Sequence, residues 1–415
     1  MKGEISVTFL GTSSGGGPSE SRNCSSLVCD VTGNSSLWMV DCAEGTLRQF
    51  ALQDRKLTSL KVNSVSKMFI THMHADHIMG IVPLLRNILF PPPVGGPTST
   101  SHVPKSPKIQ IYGPSGLRNF VRQIMKMTLT KTAEFYVVHE LLTKTDQITP
   151  CLPHDAIDGL HLPDVMHYNE IAGRDIVCTE DGLWQEFMTS NGIYGEICVD
   201  AGPILHRDPC VGYVIREKFG PMRKLVILGD TYDPSAMIPL CVSPSPSLLI
   251  HEATDAHIPH HVDYNARRSS ETVMATALAR GHSIPTMAGA FAKQIGAERL
   301  VMNHISPRFP VPRFERDHRS AVISEIERQA TEAWGSGTRA IAAYDYMTIR
   351  ISPTLSNDGP AHVSPEYQVA GGAEAVTMQL HHADPAEGFL YAVRDRSQGF
   401  QDRSCNGNRD RKRRR

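Results

Sequence analysis

The sequence has no long hydrophobic run and no cysteine pattern of the kind that builds disulfide frameworks or zinc knuckles. No apolar stretch approaches the roughly 20 residues that a membrane-spanning helix needs. The nine cysteines are scattered and contain no Cys-x-x-Cys pair, which argues against both kinds of cysteine scaffold. The first residues, which lead into an alternation of Ile5, Val7 and Phe9, resemble neither a secretion signal nor a transit helix. We therefore expect a protein of the cytosol or nucleus with no membrane segment.

Charge is balanced over the chain but not along it. Charged residues make up 20% of the sequence and nearly cancel to a net charge of −1, whereas hydrophobic residues make up 40%, as in a globular protein. The last seven residues, Arg409–Arg415, carry six positive charges and one negative, which leaves residues 1–408 with a net charge of −6. Two interpretations of this basic end stay open, a solvated terminus and a nuclear-localisation or nucleic-acid patch. The acidic body argues against broad, nonspecific binding of polyanions.

Short apolar runs of strand length alternate with helical patterns over most of the chain. The predicted strands are Ile5–Leu10, Ser26–Cys29, Leu37–Val40, Lys67–Ile70, Ile109–Tyr112, Gly195–Val199, Gly212–Ile215, Lys224–Leu228, Leu248–Ile250 and Arg299–Met302. The predicted helices are Ile78–Leu89, Ser115–Met127, Ser270–Ala279 and a helix capped by Ser283 that ends before Gly296. This order predicts a layered α/β body over residues 1–353. Residues 354–415 have no sustained period and are expected to form a mostly disordered tail.

The most distinctive segment is Thr71–His77, which reads Thr-His-Met-His-Ala-Asp-His directly after an apolar run. His72 and His74 alternate with residues that cannot bind metal, so they can leave an extended segment on the same side. Asp76 and His77 begin the turn into a helix and can reach a neighbouring position. Four ligand side chains at this spacing suit two adjacent cations, and a solvated polar turn is the alternative interpretation.

Two cations need more than four ligands, and the sequence supplies further candidates at the ends of predicted strands. These are His206, Asp230 and His304, each close behind an apolar run. Open α/β folds place their binding sites at the carboxyl ends of strands, so we expect these side chains to converge. The predicted ligands are His72, His74 and His206 for one ion, Asp76, His77 and His304 for the second, and Asp230 as a bridge between them.

The donor atoms of this set indicate both the metal and the chemistry. Nitrogen and oxygen ligands without cysteine favour zinc, with manganese or iron as alternatives. Two zinc ions roughly 3.5–4 Å apart acidify a shared water and stabilise both the attacking and the leaving oxygen of an in-line displacement. The set therefore predicts metal-dependent hydrolysis of a phosphodiester.

Together with several further motifs, these residues resemble the metallo-β-lactamase superfamily and, within it, the short form of ribonuclease Z, the tRNA 3′-processing endonuclease. The superfamily motifs are accompanied by His-Glu-Ala-Thr at positions 251–254 and Gly-His-Ser at positions 281–283, which point to ribonuclease Z. The resemblance covers about residues 4–352 and includes Phe9–Thr12, Val40–Thr46, Phe69–His77, Ile111–Arg118, Tyr136–Leu141, Leu228–Asp230, Leu249–Thr254, Gly281–Ser283 and Asn303–Arg308.

The resemblance implies a fold, an activity and partners. The expected fold is of class α/β, a four-layer αβ/βα sandwich with two mixed sheets. The expected activity is that of a zinc-dependent endoribonuclease that removes the 3′ trailer from precursor tRNA, leaving a 3′-hydroxyl on the tRNA and a 5′-phosphate on the trailer. The resemblance also implies two Zn²⁺ per chain and a homodimer.

The resemblance also implies roles for individual residues. His282 is expected to protonate the departing 3′-oxygen, with Glu252 orienting its ring. Asp76 can accept a proton from the attacking water, and Asp41 is expected to steady a ligand histidine. Arg22, in the loop that follows Pro18, is expected to hold a substrate phosphate.

The chain departs from the family pattern between His206 and Asp230. Short-form enzymes project a long arm that grips the tRNA from this interval, but here it spans 24 positions, too few to contain the arm. This departure and the acidic body keep open a second hypothesis, a metal-dependent phosphodiesterase acting on small or cyclic nucleotides. A third hypothesis is a noncatalytic RNA-binding relative. Its expected mark is a loss of ligand residues, and the predicted ligand set shows no such loss.

Overall fold

A computed structural model of the protein describes residues 3–53, 60–90, 106–153, 162–314 and 317–353. The chain divides into two units, the first with residues 1–312 and 316–370 and the second with residues 313–315 and 371–415. All described helices and strands belong to the first unit. The predicted tail, residues 354–415, lies outside the described residues, so its disorder stays a prediction.

The described residues form strands and helices that alternate along the chain. The strands are β1 (Ile5–Gly11), β2 (Ser26–Asp30), β3 (Leu37–Val40), β4 (Val65–Phe69), β5 (Ile109–Pro114), β6 (Tyr136–Leu142), β7 (Glu170–Ile171), β8 (Asp175–Val177), β9 (Trp184–Gly192), β10 (Gly195–Ile204), β11 (Cys210–Glu217), β12 (Lys224–Ile227), β13 (Leu248–Glu252), β14 (Leu300–Asn303), β15 (Ile341–Ala342) and β16 (Thr348–Ile351). The helices are α1 (Thr46–Leu52), α2 (Ala75–Ile78), α3 (Ile81–Ile88), α4 (Leu117–Met127), α5 (Ile238–Cys241), α6 (Ser270–Ala279), α7 (Pro285–Gln294) and α8 (Arg319–Trp334).

These strands form two mixed sheets. The first has the order β16-β1-β2-β3-β4-β5-β6-β7, and β8 also pairs with β6. Its pairs from β3 to β7 are parallel, whereas β1 is antiparallel to both neighbours. The second has the order β15-β14-β13-β12-β11-β10-β9, parallel from β12 to β15 and antiparallel from β9 to β12. The class of fold predicted from the sequence is therefore confirmed.

Three apolar clusters hold the layers together. One lies between the two sheets, a second packs α7 and α8 onto the second sheet, and a third packs α1, α3 and α4 onto the first sheet. Alternate residues of a strand face opposite sides of a sheet, and β4 shows this directly. Phe69 joins the cluster between the sheets, and its neighbour Met68 joins the cluster beneath the helices.

Two helix predictions differ from the structure. The predicted helix Ile78–Leu89 is divided into α2 and α3, because the chain turns at Gly80, whose backbone N–H donates to the Cys42 carbonyl oxygen at 2.8 Å instead of to a helical carbonyl. Ser283 does not cap α7, since its hydroxyl donates to the Thr231 carbonyl oxygen at 2.6 Å. None of the helices in the described part of the chain is long and apolar enough to cross a membrane.

The crossing of α7 and α8 generates a prediction about stability. A Cβ added at Gly289 would lie 2.2 Å from the Ala330 carbonyl oxygen and 3.0 Å from the Trp334 backbone nitrogen. Alanine favours helices over glycine by ~1 kcal/mol, but overpacking against backbone costs about 1–3 kcal/mol and should exceed that gain at a contact this close. Gly289→Ala should therefore lower the free energy of unfolding, measured by urea denaturation.

Ala290 offers a matched control because it is exposed on the same helix. Ala290→Ser should change the free energy of unfolding by no more than about 0.5 kcal/mol. A Gly289→Ala variant as stable as the parent would show that the two helices do not approach so closely.

Candidate metal centre

The predicted ligands lie just beyond the ends of strands from both sheets. His72 comes three residues after β4, and the helix α2 that follows places Asp76 and His77 in its first turn. His206 comes two residues after β10, and Asp230 comes three residues after β12. His304 directly follows β14. The two halves of the fold thus bring side chains that are distant in sequence to one edge.

The structure brings all seven predicted ligands into two groups. Within each group, one ligand atom from each residue lies within 4.8 Å of the others. Asp230, His282 and His304 also offer one such atom each, and these three atoms lie within 4.8 Å of one another. The groups are His72, His74, His206 and Asp230, and then Asp76, His77 and His304.

Asp230 lies between the two groups. Its Oδ2 is 3.6 Å from His72 Nε2, and its Oδ1 is 3.4 Å from both His77 Nε2 and His304 Nδ1. The residue is only 2% exposed. Burial alone would raise the pKa of Asp230, but the imidazoles of His304, His77 and His72 lower it well below its ordinary value. A buried carboxylate that stays ionised needs positive charge around it.

Two ring nitrogens show that the residues fit a metal ion. Nε2 of His72 and Nε2 of His206 are buried and have no hydrogen-bond partner among the described residues. The other nitrogens are engaged, since His72 Nδ1 lies 3.1 Å from Thr71 Oγ1 and His206 Nδ1 lies 2.6 Å from the Gly281 carbonyl oxygen. Burial lowers the pKa of both rings, which favours the neutral form that metals bind. A cation would satisfy both unpaired nitrogens.

Asp41 makes the contact expected of it. It directly follows β3 in a left-handed backbone conformation, with φ of 56°, which Asp tolerates better than most residues. Its Oδ2 lies 2.7 Å from His77 Nδ1, and its Oδ1 accepts the Thr71 backbone N–H at 2.8 Å. This contact orients His77 with Nε2 towards Asp230.

His282 and Glu252 form a buried pair beside the cluster. His282 Nδ1 lies 2.9 Å from Glu252 Oε1, whereas the Asp230 carboxylate is 3.8 Å away. Burial lowers the pKa of His282, but the charge and hydrogen bond of Glu252 raise it further, so that the pKa lies above its ordinary value. The pair therefore favours the protonated form of an imidazole at the edge of the cluster.

Sequence reasoning did not identify Thr254, which connects this pair to the ligands. Its Oγ1 donates to Glu252 Oε2 at 2.7 Å and lies 2.9 Å from His304 Nδ1. It also lies 3.4 Å from His282 Nδ1. The signal in the sequence was the position of Thr254 two residues after Glu252, within the same motif.

The expectation that Arg22 holds a substrate phosphate does not agree with the structure. Arg22 is 3% exposed, and its Nη1 donates to Thr12 Oγ1 at 2.8 Å and to the Ala343 carbonyl oxygen at 2.5 Å. Burial lowers the pKa of its guanidinium to about 10, and the nearby charge of Asp345 opposes that shift. Arg22 is thus a buried structural residue that supports the loop.

A cavity of about 860 Å³ lies beside the metal-binding cluster. One wall is the glycine-rich loop Gly15–Gly17, whose Gly15 backbone N–H donates to Asp76 Oδ2 at 2.9 Å. The rim carries three arginines, Arg207, Arg280 and Arg308. Clustered positive charge at the mouth of a cleft attracts anionic substrates.

Comparisons with known proteins agree with this geometry. Over residues 5–93 the chain matches the family described as Anti-Pycsar protein Apyc1. The mouse protein named zinc phosphodiesterase ELAC protein 1 is 30% identical over 396 residues, which cover 84% of this chain and 98% of the relative. Ribonuclease Z of Nostoc sp. is 29% identical and covers 84% of this chain and 95% of the relative. The crystal structure of human short-form tRNase Z (ELAC1) has a TM-score of 0.55 at 29% identity, over 84% of this chain and 100% of that one.

The fold and the site define a metallo-β-lactamase-fold protein with a metal-binding cluster of histidine and aspartate. The mouse relative aligns over nearly its whole length, so the chain can also be assigned to a family within this fold. The chain belongs to the family of ELAC1 zinc phosphodiesterases and ribonuclease Z. The family indicated by the sequence motifs is therefore confirmed.

The metal centre generates a prediction about zinc binding. His206→Ala removes a partly buried ring whose Nε2 has no hydrogen-bond partner among the described residues, so the fold should tolerate the change while the ion loses a ligand. Zinc affinity should fall by more than the about 10- to 100-fold that the loss of a residue behind a ligand costs. Elemental analysis and a competing chelator would measure this.

The matched control is His260→Ala, which removes an exposed imidazole outside the cluster. Its zinc content should equal that of the parent. Equal zinc content in the His206 and His260 variants would remove His206 from the ligand set.

Proposed function

We propose that this chain is a zinc-dependent endoribonuclease that hydrolyses one phosphodiester of precursor tRNA to remove the 3′ trailer. The products are a 3′-hydroxyl on the tRNA and a 5′-phosphate on the trailer. The observation that carries the proposal is the convergence of both ligand groups on Asp230, with the His282–Glu252 pair directly beside them. Family membership supports the same activity.

The proposed centre holds two zinc ions, with manganese and iron as alternatives. His72, His74 and His206 would bind one ion, and Asp76, His77 and His304 would bind the other. Asp230 supports this division because its two oxygens approach different groups. When bound, the zinc ions acidify water and stabilise negative charge on phosphate oxygens.

The protein's own side chains handle the protons. Glu252 engages Nδ1 of His282, which leaves Nε2 to deliver a proton to the departing 3′-oxygen. An alkoxide is a poor leaving group, so this proton transfer matters for the rate. Asp76 lines the cavity and can accept a proton from the attacking water.

The arginines of the rim would bind the RNA backbone near the cut. Arg207 and Arg280 each adjoin a residue of the His206–Gly281 contact, and both line the same cavity as His282. Contacts to phosphate position a nucleic acid without reading its sequence. This local positive charge would offset the net negative charge of the body.

The second candidate function, a phosphodiesterase for small or cyclic nucleotides, is favoured by one observation. Strands β11 and β12 and the turn between them occupy most of the interval from His206 to Asp230. This interval therefore contains no long arm. A chain without the arm has a smaller surface for a whole tRNA, but a cavity of about 860 Å³ is within the usual size of a small-molecule site.

Homodimer formation and a location in the cytosol or nucleus are further proposals that rest on the sequence. The dimer follows from the family resemblance, and its test is the molar mass of the purified chain in solution. The basic run at Arg409–Arg415 lies outside the described residues, so deletion of that run in cells is the direct test of its role in localisation.

Cleavage of precursor tRNA is the first test of the proposed function. Purified protein with zinc should cut a trailer-bearing tRNA once, after the discriminator base, and a chelator should abolish the reaction because it removes the ions. Asp230→Ala should also abolish it, since both ligand groups approach this carboxylate. Gel analysis of end-labelled RNA would identify the products.

A small phosphodiester measured beside the tRNA separates the two candidate functions. Saturation at low tRNA concentration, with weak turnover of the small diester, supports the ribonuclease. Efficient turnover of a cyclic or dinucleotide substrate without tRNA cleavage would contradict it.

The role of His282 is tested by changing the leaving group. His282→Ala should slow RNA cleavage by about 10²–10⁴-fold, the usual contribution of a general acid. A nitrophenyl phosphodiester needs little protonation of its leaving oxygen, so its hydrolysis should fall much less. Initial rates on both substrates would be measured, with His260→Ala as control. Equal losses on the two substrates would contradict the role of His282 as acid.

A further inference from the structure

The histidines of the metal centre share one design. Each uses one ring nitrogen for a contact with a residue outside the predicted ligand set, which leaves the other nitrogen for an ion, and such contacts fix the orientation and tautomer of a ligand. In four of the five rings the contacting nitrogen is Nδ1, which pairs His72 with Thr71, His77 with Asp41, His206 with Gly281 and His304 with Thr254.

His74 has the opposite arrangement. Its Nε2 lies 2.7 Å from Oδ2 of Asp208, so Nδ1 is the nitrogen left for an ion. The His74 side chain is 22% exposed and that of Asp208 is 59% exposed. The contacts behind His72 and His77 are buried, whereas this one lies at the solvent side of the cluster.

Asp208 comes from the same short segment as a ligand. His206 precedes it by two residues, and Leu205 exchanges backbone hydrogen bonds with the segment that follows Asp230. The Leu205 N–H donates to the Asp233 carbonyl oxygen, and the Tyr232 N–H donates to the Leu205 carbonyl oxygen, each at 2.9 Å. One anchored segment therefore supplies His206 and holds His74.

We propose that Asp208 is a positioning residue of the metal centre, which accepts a hydrogen bond from His74 Nε2 and so fixes His74 to bind its ion through Nδ1. The inference rests on the proposed metal centre and was not predicted from the sequence. A carboxylate behind a ligand histidine increases its basicity, and loss of such a partner costs about 10- to 100-fold in metal affinity. Arg207 Nε, 4.0 Å from the same Asp208 oxygen, is its other charged neighbour in this segment.

Zinc binding by the full chain tests the proposal. Metal-free parent, Asp208→Ala, Asp208→Asn and Asp233→Asn would be titrated with Zn²⁺ against a chromophoric chelator. Asp208→Ala should weaken one zinc site about 10- to 100-fold. Asp208→Asn should lose clearly less, because the amide oxygen still accepts a hydrogen bond from His74. Asp233→Asn removes one negative charge from the neighbouring segment and should bind zinc like the parent.

A second measurement tests the ring nitrogen directly. In the zinc-loaded protein, ¹⁵N spectra of labelled histidine, assigned with a His74→Gln variant, should show His74 bound through Nδ1 and protonated at Nε2. Thermal unfolding of the metal-free variants should match the parent, since Asp208 is exposed and outside the core. An early melt of metal-free Asp208→Ala would instead give the residue a structural role and overturn the proposal.

The remaining outcomes distinguish a failure of the positioning role from a failure of the metal centre. Parent-like zinc affinity in Asp208→Ala, or equal weakening in the Ala and Asn variants, overturns the positioning role. Binding of His74 through Nε2 does the same. A parent protein that binds no zinc overturns the proposed metal centre itself.

Discussion

A carboxylate that is ionised and almost fully buried is the constraint on which the rest of the site depends. Asp230 is 2% exposed, and burial of an unpaired charge would cost far more than a domain's net stability. The protein surrounds it with imidazoles from the segments that follow β4, β10 and β14, and each ring also contacts a hydroxyl, carbonyl or carboxylate outside the ligand set. The site is thus organised to share positive charge around one residue.

The fold meets this constraint by ending strands at a common edge. The core between the sheets fixes β3, β4, β12 and β14, so the residues that follow them have little freedom. Two of these residues accept an uncommon backbone conformation, since Asp41 and His304 have φ values of 56° and 54°. Conformations of this kind persist only where surrounding contacts determine them, and they concentrate at functional sites. The Thr254 hydroxyl, 3.0 Å from the His304 carbonyl oxygen, is one such contact.

Sequence reasoning placed the predicted ligands at one edge because the core fixes the position of residues that directly follow its strands. Their apolar strands are visible in the sequence, so convergence at one edge follows from the class of fold. Sequence reasoning failed for residues whose contacts depend on the conformation of a loop. The sequence predicts that Arg22 binds a substrate phosphate, but its guanidinium points inward and donates to the carbonyl oxygen of Ala343, which is distant in sequence. Asp208 and Thr254 were missed for the same reason, because a contact across loops leaves no periodic signal. Ser283 is of a residue type that often caps helices, but its hydroxyl donates to the Thr231 carbonyl oxygen instead.

The residues proposed for catalysis and the residues proposed for substrate binding come from different parts of this fold. The predicted ligands come from strand ends held by the core, whereas an arm would come from a loop that contributes nothing to the core. Replacing the arm with the short connection between β11 and β12 therefore leaves the ligand edge intact. Of the described residues that line the cavity, Arg207, Arg280 and Arg308 carry the positive charge that RNA would meet beside the reacting bond. Recognition by this chain should then depend on the junction between acceptor stem and trailer more than on the distant shape of the tRNA.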